Sequence, residues 1–164
     1  MGRVIAISIT PKGSEPMVSI QEVRAVAGRG LEGDRYFSKQ GTFTENPNTT
    51  GRQVTLIEAE AIEALERDYG VKIEPTDARR NIVTSGVPLN HLIDKEFRVG
   101  GVRMLGVRLD EPCNHMASLV DETQKDKIRL GLMHRGGLRA DILSDGVIRV
   151  GDAVDVELET PAPA

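Results

Sequence analysis

The chain has 164 residues, of which 39% are hydrophobic, and a formal net charge of −4; this size suits a single domain with its own hydrophobic core. The negative charge argues against non-specific binding to nucleic acid, and the single cysteine excludes an internal disulfide and a multi-cysteine zinc site. With no secretory signal pattern and no apolar run of the roughly 20 residues that a membrane helix needs, we expect a reduced, cytoplasmic protein without a membrane partner.

Short apolar segments separated by Gly, Pro and Asp dominate the chain. They predict β-strands at residues 3–10, 21–27, 52–57, 81–84, 96–99, 102–109, 138–143, 147–150 and 153–158. A helix near residues 58–69 is indicated because Ile57, Ala61, Ile62, Leu65 and Tyr69 fall on one face. A second, more polar helix is predicted from about Ala117 to Leu132, and a short helical piece near 89–93.

The number and spacing of these strands favour a mainly β fold, a closed barrel or a sandwich whose openings are covered by helices. Strict β-α alternation is absent, which argues against a doubly wound sheet. We expect one domain over residues 1–158, followed by a frayed tail at 159–164. Residues 38–51 hold one large apolar residue, Phe43, and predict a long mobile loop of the kind that often carries function.

Two segments combine glycine with arginine, as anion sites do. Residues 28–35 carry three glycines in six positions, followed by Asp34 and Arg35; they match Gly-x-Gly-x-x-Gly but lack the strand-to-helix context of a dinucleotide site. Residues 134–141 contain Gly136-Gly137, whose backbone N–H groups could line a concave anion site completed by His134, Arg135 or Arg139. A tight loop with an internal Asp-Arg pair and a helix C-cap are the plain structural alternatives.

Adjacent arginines, Arg79 and Arg80, lead into the predicted strand at 81–84. Because successive residues of a strand point to opposite faces, one guanidinium group can face a pocket while the other faces solvent. The chain has 15 arginines and only 6 lysines. Arginine binds carboxylate and phosphate groups with two parallel hydrogen bonds, so this excess favours local anion sites. A solvated strand start is the alternative for either residue.

The only cysteine, Cys113, lies after Pro112, between a predicted strand and the second predicted helix. A thiolate near a helix N-terminus is stabilised by the helix dipole. His115 and Arg108 could stabilise it further, while Asp110 and Glu111 oppose it. The residues alone therefore leave two hypotheses, a reactive thiol or a buried structural cysteine.

Five segments, in this order, resemble the MOSC domain. They are GLEGDR (30–35), RQVTLI with the helix that follows (52–57), ARRNIVTSG (78–86), EPC (111–113) and RGGLRADILSDGVIRVGD (135–152). MOSC domains occur at the C-terminus of molybdenum cofactor sulfurases and as stand-alone bacterial proteins. The resemblance extends from Val4 to about Val156 and implies a closed β-barrel with two or three flanking helices. The typical loop ends in GDRH, whereas this chain has Tyr36 after Arg35.

The resemblance implies a role with the molybdenum cofactor (molybdopterin). In relatives that reduce N-hydroxylated compounds, the cysteine that matches Cys113 is a ligand of molybdenum, and His115 is a supporting catalytic candidate. The segments that match the family imply cofactor-binding residues at Gly33, Asp34, Arg35, Arg80, Asn81, Arg135, Gly136 and Gly137. In sulfurase relatives the same cysteine has been proposed to carry sulfur as a persulfide, and a sulfur carrier is thus the alternative.

The first role would require a small-molecule substrate and a separate electron-donor protein, because the sequence has no iron–sulfur or flavin motif. The second would require a separate desulfurase. Family descriptions also mention pyridoxal phosphate, but that cofactor belongs to a desulfurase domain of the fused relatives, which a chain of 164 residues is too short to hold.

Overall fold

The computed structural model describes residues 2–38 and 51–157. Residues 39–50 of the predicted mobile loop and the predicted tail at 159–164 lie outside the described residues. The strands are β1 Gly2–Ile9, β2 Val18–Ile20, β3 Glu22–Val26, β4 Gly30–Leu31, β5 Val54–Glu58, β6 Ile82–Ser85, β7 Glu96–Val99, β8 Val102–Leu109, β9 Leu138–Ile142, β10 Gly146–Arg149 and β11 Ala153–Val156. The helices are α1 Ala59–Tyr69, α2 Asn114–Asp121 and α3 Lys125–Gly131, with 3-10 helices at Pro75–Ala78, Leu89–His91 and Glu122–Gln124.

Seven strands form a closed barrel in the order β11-β7-β8-β9-β5-β6-β1, and β1 closes it by pairing with β11 at Gly2 and Val154. Neighbouring strands in the described barrel run antiparallel except β5 and β6, which are parallel because α1 connects them. β2 extends the sheet beyond β1, and β10, β3 and β4 form a separate three-stranded sheet. The predicted closed, mainly β barrel is confirmed.

Successive side chains of each strand point to opposite faces of the barrel wall, and this creates two hydrophobic layers, one inside the barrel and one outside it. In β9, Leu138, Ala140 and Ile142 are buried inside the barrel, while Arg139 and Asp141 lie on its outer face. A second cluster on the outer face joins the barrel wall to the helices; it contains Ile57, Leu65, Val83, Met116, Ile128 and Leu132. The helices are therefore packed against one side of the barrel, next to the polar outer face of β9.

The second predicted helix differs from the structure at its start and in its middle. It begins at Asn114 rather than near Ala117, and a 3-10 turn divides it into α2 and α3. The division follows from Asp121, whose carboxylate accepts the backbone N–H of Thr123 at 3.0 Å and so ends the first helix locally. None of the helices in residues 2–38 and 51–157 is long and apolar enough to span a membrane.

Candidate functional site

A cleft of about 130 Å³ opens on the outer face of the barrel, between the loop after β1 and the start of α2. Its lining is dominated by charged and polar side chains: Ser14, Arg35, Tyr36, Arg79, Arg80, Asp110, Glu111, Cys113, His115, Met116, Leu119 and Arg139. These residues come from five separate parts of the sequence. The fold therefore gathers the cysteine and four arginines around one concave surface.

Cys113 is the N-cap residue of α2. Its backbone is extended, with φ −122° and ψ 167°, and its Sγ accepts the backbone N–H of Met116 at 3.4 Å. The side chain is partly exposed and lines the cleft. The capping bond fixes the sulfur at the N-terminal end of the helix, where it faces the cleft.

His115 lies in the first turn of the same helix and is exposed at the rim of the cleft. Its Nε2 shares a hydrogen bond of 2.8 Å with Oγ of Ser14, a residue in the loop after β1. Ser14 has φ +70°, in the left-handed region that a residue with a Cβ seldom adopts. This contact joins the loop to α2 and places an imidazole two residues from the thiol.

Asp110 is the internal counter-ion of the site and is only 4% exposed. Its carboxylate lies 2.8 Å from Nε of Arg80 and 3.0 Å from Nε of Arg139. Arg80 is also buried and donates to the carbonyl oxygens of Gly136 at 2.8 Å and Asp110 at 2.9 Å. One carboxylate thus orients two guanidinium groups, and each keeps other N–H donors for a ligand.

A second buried pair supports Arg35. Asp34 is completely buried, and its Oδ1 accepts from Arg35 Nη1 at 3.2 Å and from the backbone N–H of Thr10 at 3.1 Å. The Arg35 guanidinium group stacks over the ring of Tyr36 at 4.5 Å from its centre. Asp34 therefore acts behind the cleft surface, where it holds Arg35 in place.

Arg79 adds a positive charge that the surrounding protein does not fully balance. Its backbone has φ +58°, and its Nη1 donates to the carbonyl oxygen of Glu15 at 2.8 Å. Burial lowers the pKa of Arg79, and the nearby positive charge of Arg35 lowers it further. Strained backbone and crowded like charges are features of functional sites; here they favour an anionic ligand.

Arg139 has a buried Nη1 with no hydrogen-bond partner in the described part of the chain. Its Nε donates to Asp110 at 3.0 Å, and the residue lines the cleft. Buried donors are nearly always hydrogen-bonded in folded proteins. The unpaired donor points to a ligand acceptor at this place.

Four of the predicted site residues meet in the cleft, namely Arg35, Arg80, Cys113 and His115. Three others contribute from behind it. Asp34 holds Arg35, the Gly136 carbonyl holds Arg80, and the Gly137 carbonyl accepts the N–H of Asp110 at 2.8 Å. A Cβ on Gly136 would lie 2.5 Å from the Asp110 oxygen, so only glycine allows this close approach.

The other three predicted residues lie elsewhere. Gly33 lines a separate shallow pocket with Lys12. Asn81 is completely buried in the barrel wall, where its Oδ1 accepts from the backbone N–H of Thr55 at 3.0 Å and its Nδ2 donates to the Ser8 carbonyl at 3.1 Å. Arg135 is exposed and lines a different groove.

Several residues of the cleft were not among the predicted site residues: Ser14, Tyr36, Arg79, Asp110, Glu111 and Arg139. Arg79 and Arg139 belong to the segments that we expected to bind anions, and the arginine excess was the signal that could have identified both. Asp110 was expected only to oppose a thiolate at Cys113. Its two long-range ion pairs have no signal in the local sequence.

Comparisons with known proteins agree with the barrel. A family model described as the MOSC domain matches residues 32–155. The crystal structure of the YUAD protein from Bacillus subtilis aligns with a TM-score of 0.80 and 18% identity, covering 98% of both chains. YiiM from Geobacillus stearothermophilus aligns with a TM-score of 0.69 and 14% identity over 96% of this chain and 76% of that one.

YiiM from Escherichia coli aligns with a TM-score of 0.59 and 14% identity, over 99% of this chain and 72% of that one. No curated protein matches the sequence. At these levels of identity the structural neighbours establish the fold, and the residues of the cleft must be interpreted from their own chemistry.

Proposed function

Since the chain belongs to the MOSC domain family, we propose that its cleft binds the molybdenum cofactor and supports the reduction of N-hydroxylated compounds, with Cys113 as the ligand of molybdenum. The observation that carries this proposal is that one thiol and four guanidinium groups face the same cleft. A thiolate is a soft ligand that suits such a metal. Guanidinium groups suit the phosphate that the pterin carries.

The residues present fit such a group. The orphaned Nη1 of Arg139 and the crowded charge of Arg79 both call for an anionic acceptor in the cleft. The volume of about 130 Å³ lies below the range of about 300–1,000 Å³ typical of pockets that enclose a whole ligand. The described cleft would therefore enclose an anionic end of the cofactor rather than all of it.

Each side chain has a definable task. Cys113 would hold the metal, and Arg35, Arg79, Arg80 and Arg139 would hold the phosphate. When bound, the cofactor supplies a two-electron couple, which together with two protons converts an N-hydroxylated base into the unhydroxylated base and water. The electrons would come from a separate donor protein.

His115 is the candidate to deliver a proton. Imidazole exchanges protons readily near neutral pH, and His115 is exposed at the rim of the cleft in the same helical turn as Cys113. Its hydrogen bond to Ser14 fixes the ring. Its position therefore allows a proton to pass between solvent and a substrate held beside the thiol.

Metal content tests the proposal. Protein purified from a host that makes the cofactor should contain molybdenum in near-stoichiometric amount, measured by inorganic mass spectrometry. Cys113→Ser is the sharpest variant because serine is a better N-cap than cysteine and preserves the start of α2, while its hydroxyl is not a soft ligand. We expect it to lose the metal and, when both proteins are prepared without cofactor, to melt no lower than the parent protein.

Asn114→Ala is the matched control, since Asn114 is exposed and adjacent in sequence but does not line the cleft. It should retain molybdenum and the reduction of an N-hydroxylated amidine with a chemical electron donor. Full metal content in the serine variant would contradict the assignment of Cys113 as ligand.

The alternative function is sulfur transfer by a persulfide on Cys113. The partial exposure of the thiol at the cleft favours it, because a carrier must be reached by a donor protein. Incubation with a cysteine desulfurase and cysteine should then add the mass of one sulfur atom to the native protein and none to the Cys113→Ser variant. An unchanged mass after incubation would exclude this function.

A further inference from the structure

His134, which follows α3, is held in a backbone conformation that residues with a Cβ seldom adopt. Its φ is +62°, in the left-handed region that glycine adopts most readily. The backbone N–H donates to Oε1 of Glu111 at 2.7 Å, and the carbonyl oxygen accepts from Nδ2 of Asn90 at 2.6 Å. Two side chains from distant parts of the chain therefore fix this backbone from both sides.

The imidazole of His134 contacts the same carboxylate. Its Nδ1 lies 2.6 Å from Oε2 of Glu111, so each oxygen of Glu111 contacts one nitrogen of His134. The side chains of His134 and Glu111 are 77% and 41% exposed, and a contact between such exposed groups adds little to stability. Because glycine would suit the backbone better, stability alone does not explain a histidine here. What its side chain supplies is a contact at two points that fixes the position of Glu111.

Glu111 connects His134 to the loop that carries the thiol. Glu111 lines the cleft, whereas His134 lines a separate groove of about 560 Å³. Pro112 alone separates Glu111 from Cys113 in the sequence, and its ring restricts the backbone between them. Pro112 is buried against Gly136, where an added Cβ would lie 2.9 Å from the proline Cδ. A displacement of Glu111 is therefore passed on to Cys113.

We propose that His134 is a positioning residue for Cys113 and acts through Glu111, whose two contacts with His134 hold the sulfur at the cleft. The hydrogen bond of 3.4 Å from the Met116 N–H to this sulfur reports its position. The role rests on the proposed function, in which the sulfur holds the metal. Replacing a residue that supports a metal ligand without touching the metal typically changes metal affinity or activity by about 10–100-fold.

His134→Asn is the sharpest variant, because asparagine tolerates the left-handed backbone and keeps its N–H but removes the imidazole. In protein prepared without cofactor, the Met116 amide should exchange its hydrogen about tenfold faster by NMR, and a thiol reagent should modify Cys113 about tenfold faster. The melting temperature should stay near that of the parent, because the exposed contact adds little stability. Unchanged rates of exchange and modification would overturn the proposal.

Replacements of Glu111 test the connection itself. Glu111→Ala removes both contacts and should accelerate both rates as His134→Asn does. Glu111→Gln should restore most of the parent's rates, because its amide oxygen can accept the His134 N–H and its amide N–H can donate to Nδ1 of the other tautomer. A glutamine variant as fast as the alanine variant would assign the effect to the charge of Glu111 and contradict the positioning role.

Two further variants complete the test. The double variant Glu111→Ala/His134→Asn should be no faster than Glu111→Ala alone, since both changes break one contact; rates that multiply would show two independent effects and contradict the connection. His91→Asn is the matched control, because it makes the same change in another exposed histidine of the same groove. It should keep the parent's rates, and equal acceleration in this control would overturn the proposal.

Activity separates this role from that of the proposed function. In protein that contains the cofactor, His134→Asn should lower kcat for an N-hydroxylated amidine about tenfold and leave KM nearly unchanged, because His134 does not line the cleft. Absence of molybdenum from the parent protein would contradict the proposed function and leave the two rates of the cofactor-free protein standing. Unchanged rates in His134→Asn would remove the positioning role without affecting the metal content of the parent.

Discussion

Asp110→Asn gives the most direct test of the charge arrangement in the cleft. The substitution keeps the shape of the side chain but removes the carboxylate charge that lies 2.8 Å from Arg80 and 3.0 Å from Arg139. The side chains of Asp110 and Arg80 are 5% and 6% exposed, and that of Arg139 is 14% exposed. The variant therefore leaves two largely buried guanidinium groups without a counter-ion.

Removal of one partner from a buried ion pair costs about 3–5 kcal/mol. Asparagine retains one oxygen that can accept a hydrogen bond, so we expect the lower end, about 3 kcal/mol. For a chain of this size, that loss lowers the melting temperature by about 6–12 °C. Urea denaturation followed by circular dichroism measures the free energy of unfolding.

Added phosphate should reverse part of the loss. An anion that binds the folded protein alone stabilises it by about 2.7 kcal/mol at 100 times its dissociation constant. Because Asp110→Asn removes the competing carboxylate, the variant should gain more stability from phosphate than the parent protein does. The control is Glu96→Gln, which breaks an exposed ion pair with Arg103 and should cost less than about 1 kcal/mol.

Two results would refute this reasoning. The first is an Asp110→Asn variant within about 1 kcal/mol of the parent, since a loss that small is typical of exposed pairs. The second is equal stabilisation of both proteins by phosphate. Either result would mean that solvent, and not Asp110, balances the charge of Arg80 and Arg139.

Three other substitutions test parts of the structure that support the site. Asn81→Ala leaves the backbone N–H of buried Thr55 without its acceptor and should lower the free energy of unfolding by about 1–3 kcal/mol in urea denaturation. The folded variant should keep its affinity for phosphate in calorimetry. Gly137→Ala should leave little folded protein in circular dichroism, because the glycine has φ +118° and its added Cβ would lie 2.1 Å from the Leu56 oxygen. Burial raises the pKa of Glu58 above its usual 4.5, so the folded protein binds this proton more tightly than the unfolded chain does. The associated stability is complete below pH 4.5 and is lost as the pH rises through the folded pKa; Glu58→Gln should therefore raise the melting temperature at pH 7 and flatten its dependence on pH above 4.5.

A loss of phosphate affinity in folded Asn81→Ala would mean that Asn81 acts in the cleft and not only in the barrel wall. Normal folding of Gly137→Ala would contradict the close approach of β5 and β9. A melting temperature of Glu58→Gln with the parent's dependence on pH would assign that dependence to other carboxyl groups.

The strand pattern predicted the barrel because most of its strands alternate between an apolar inner face and a polar outer face. Two strands were not predicted. β2 has three residues after Pro16, of which Val18 is 55% exposed, and β4 has two residues, one of them Gly30. Such short segments are strands only because a neighbouring strand pairs with them, and no periodicity in their own sequence reveals that.

The start of α2 was missed for a different reason. The usual N-cap residues are Ser, Thr, Asp and Asn, and the sequence offers a cysteine at this position. The structure shows that Cys113 itself caps the helix through its sulfur. The sulfur atom proposed to bind metal is therefore also the atom that caps the helix. Because cysteine is not among the usual N-cap residues, the rule for helix starts did not predict a start at this position.

The arginines of the cleft divide into two groups with different consequences for binding. Arg35 and Arg80 are almost completely buried, each with an aspartate and a backbone carbonyl as acceptors. Much of their hydrogen-bonding capacity is used inside the protein, so under the proposed function each would add less to phosphate affinity than to the shape of the cleft. Burial and the charge of Arg35 lower the pKa of Arg79, and Arg139 has a buried Nη1 without a hydrogen-bond partner in the described residues. Under the proposed function these two residues would contribute most to phosphate affinity.

This division explains why a count of arginines in the sequence overestimates the number of anion contacts. A substitution in the first group should act mainly through stability, as Asp110→Asn does from the opposite side of the same ion pair. A substitution in the second group should act mainly through affinity, because its guanidinium group has few internal contacts to lose. Arg80→Gln and Arg139→Gln, compared by urea denaturation and phosphate titration, should therefore separate the two effects although both residues contact Asp110.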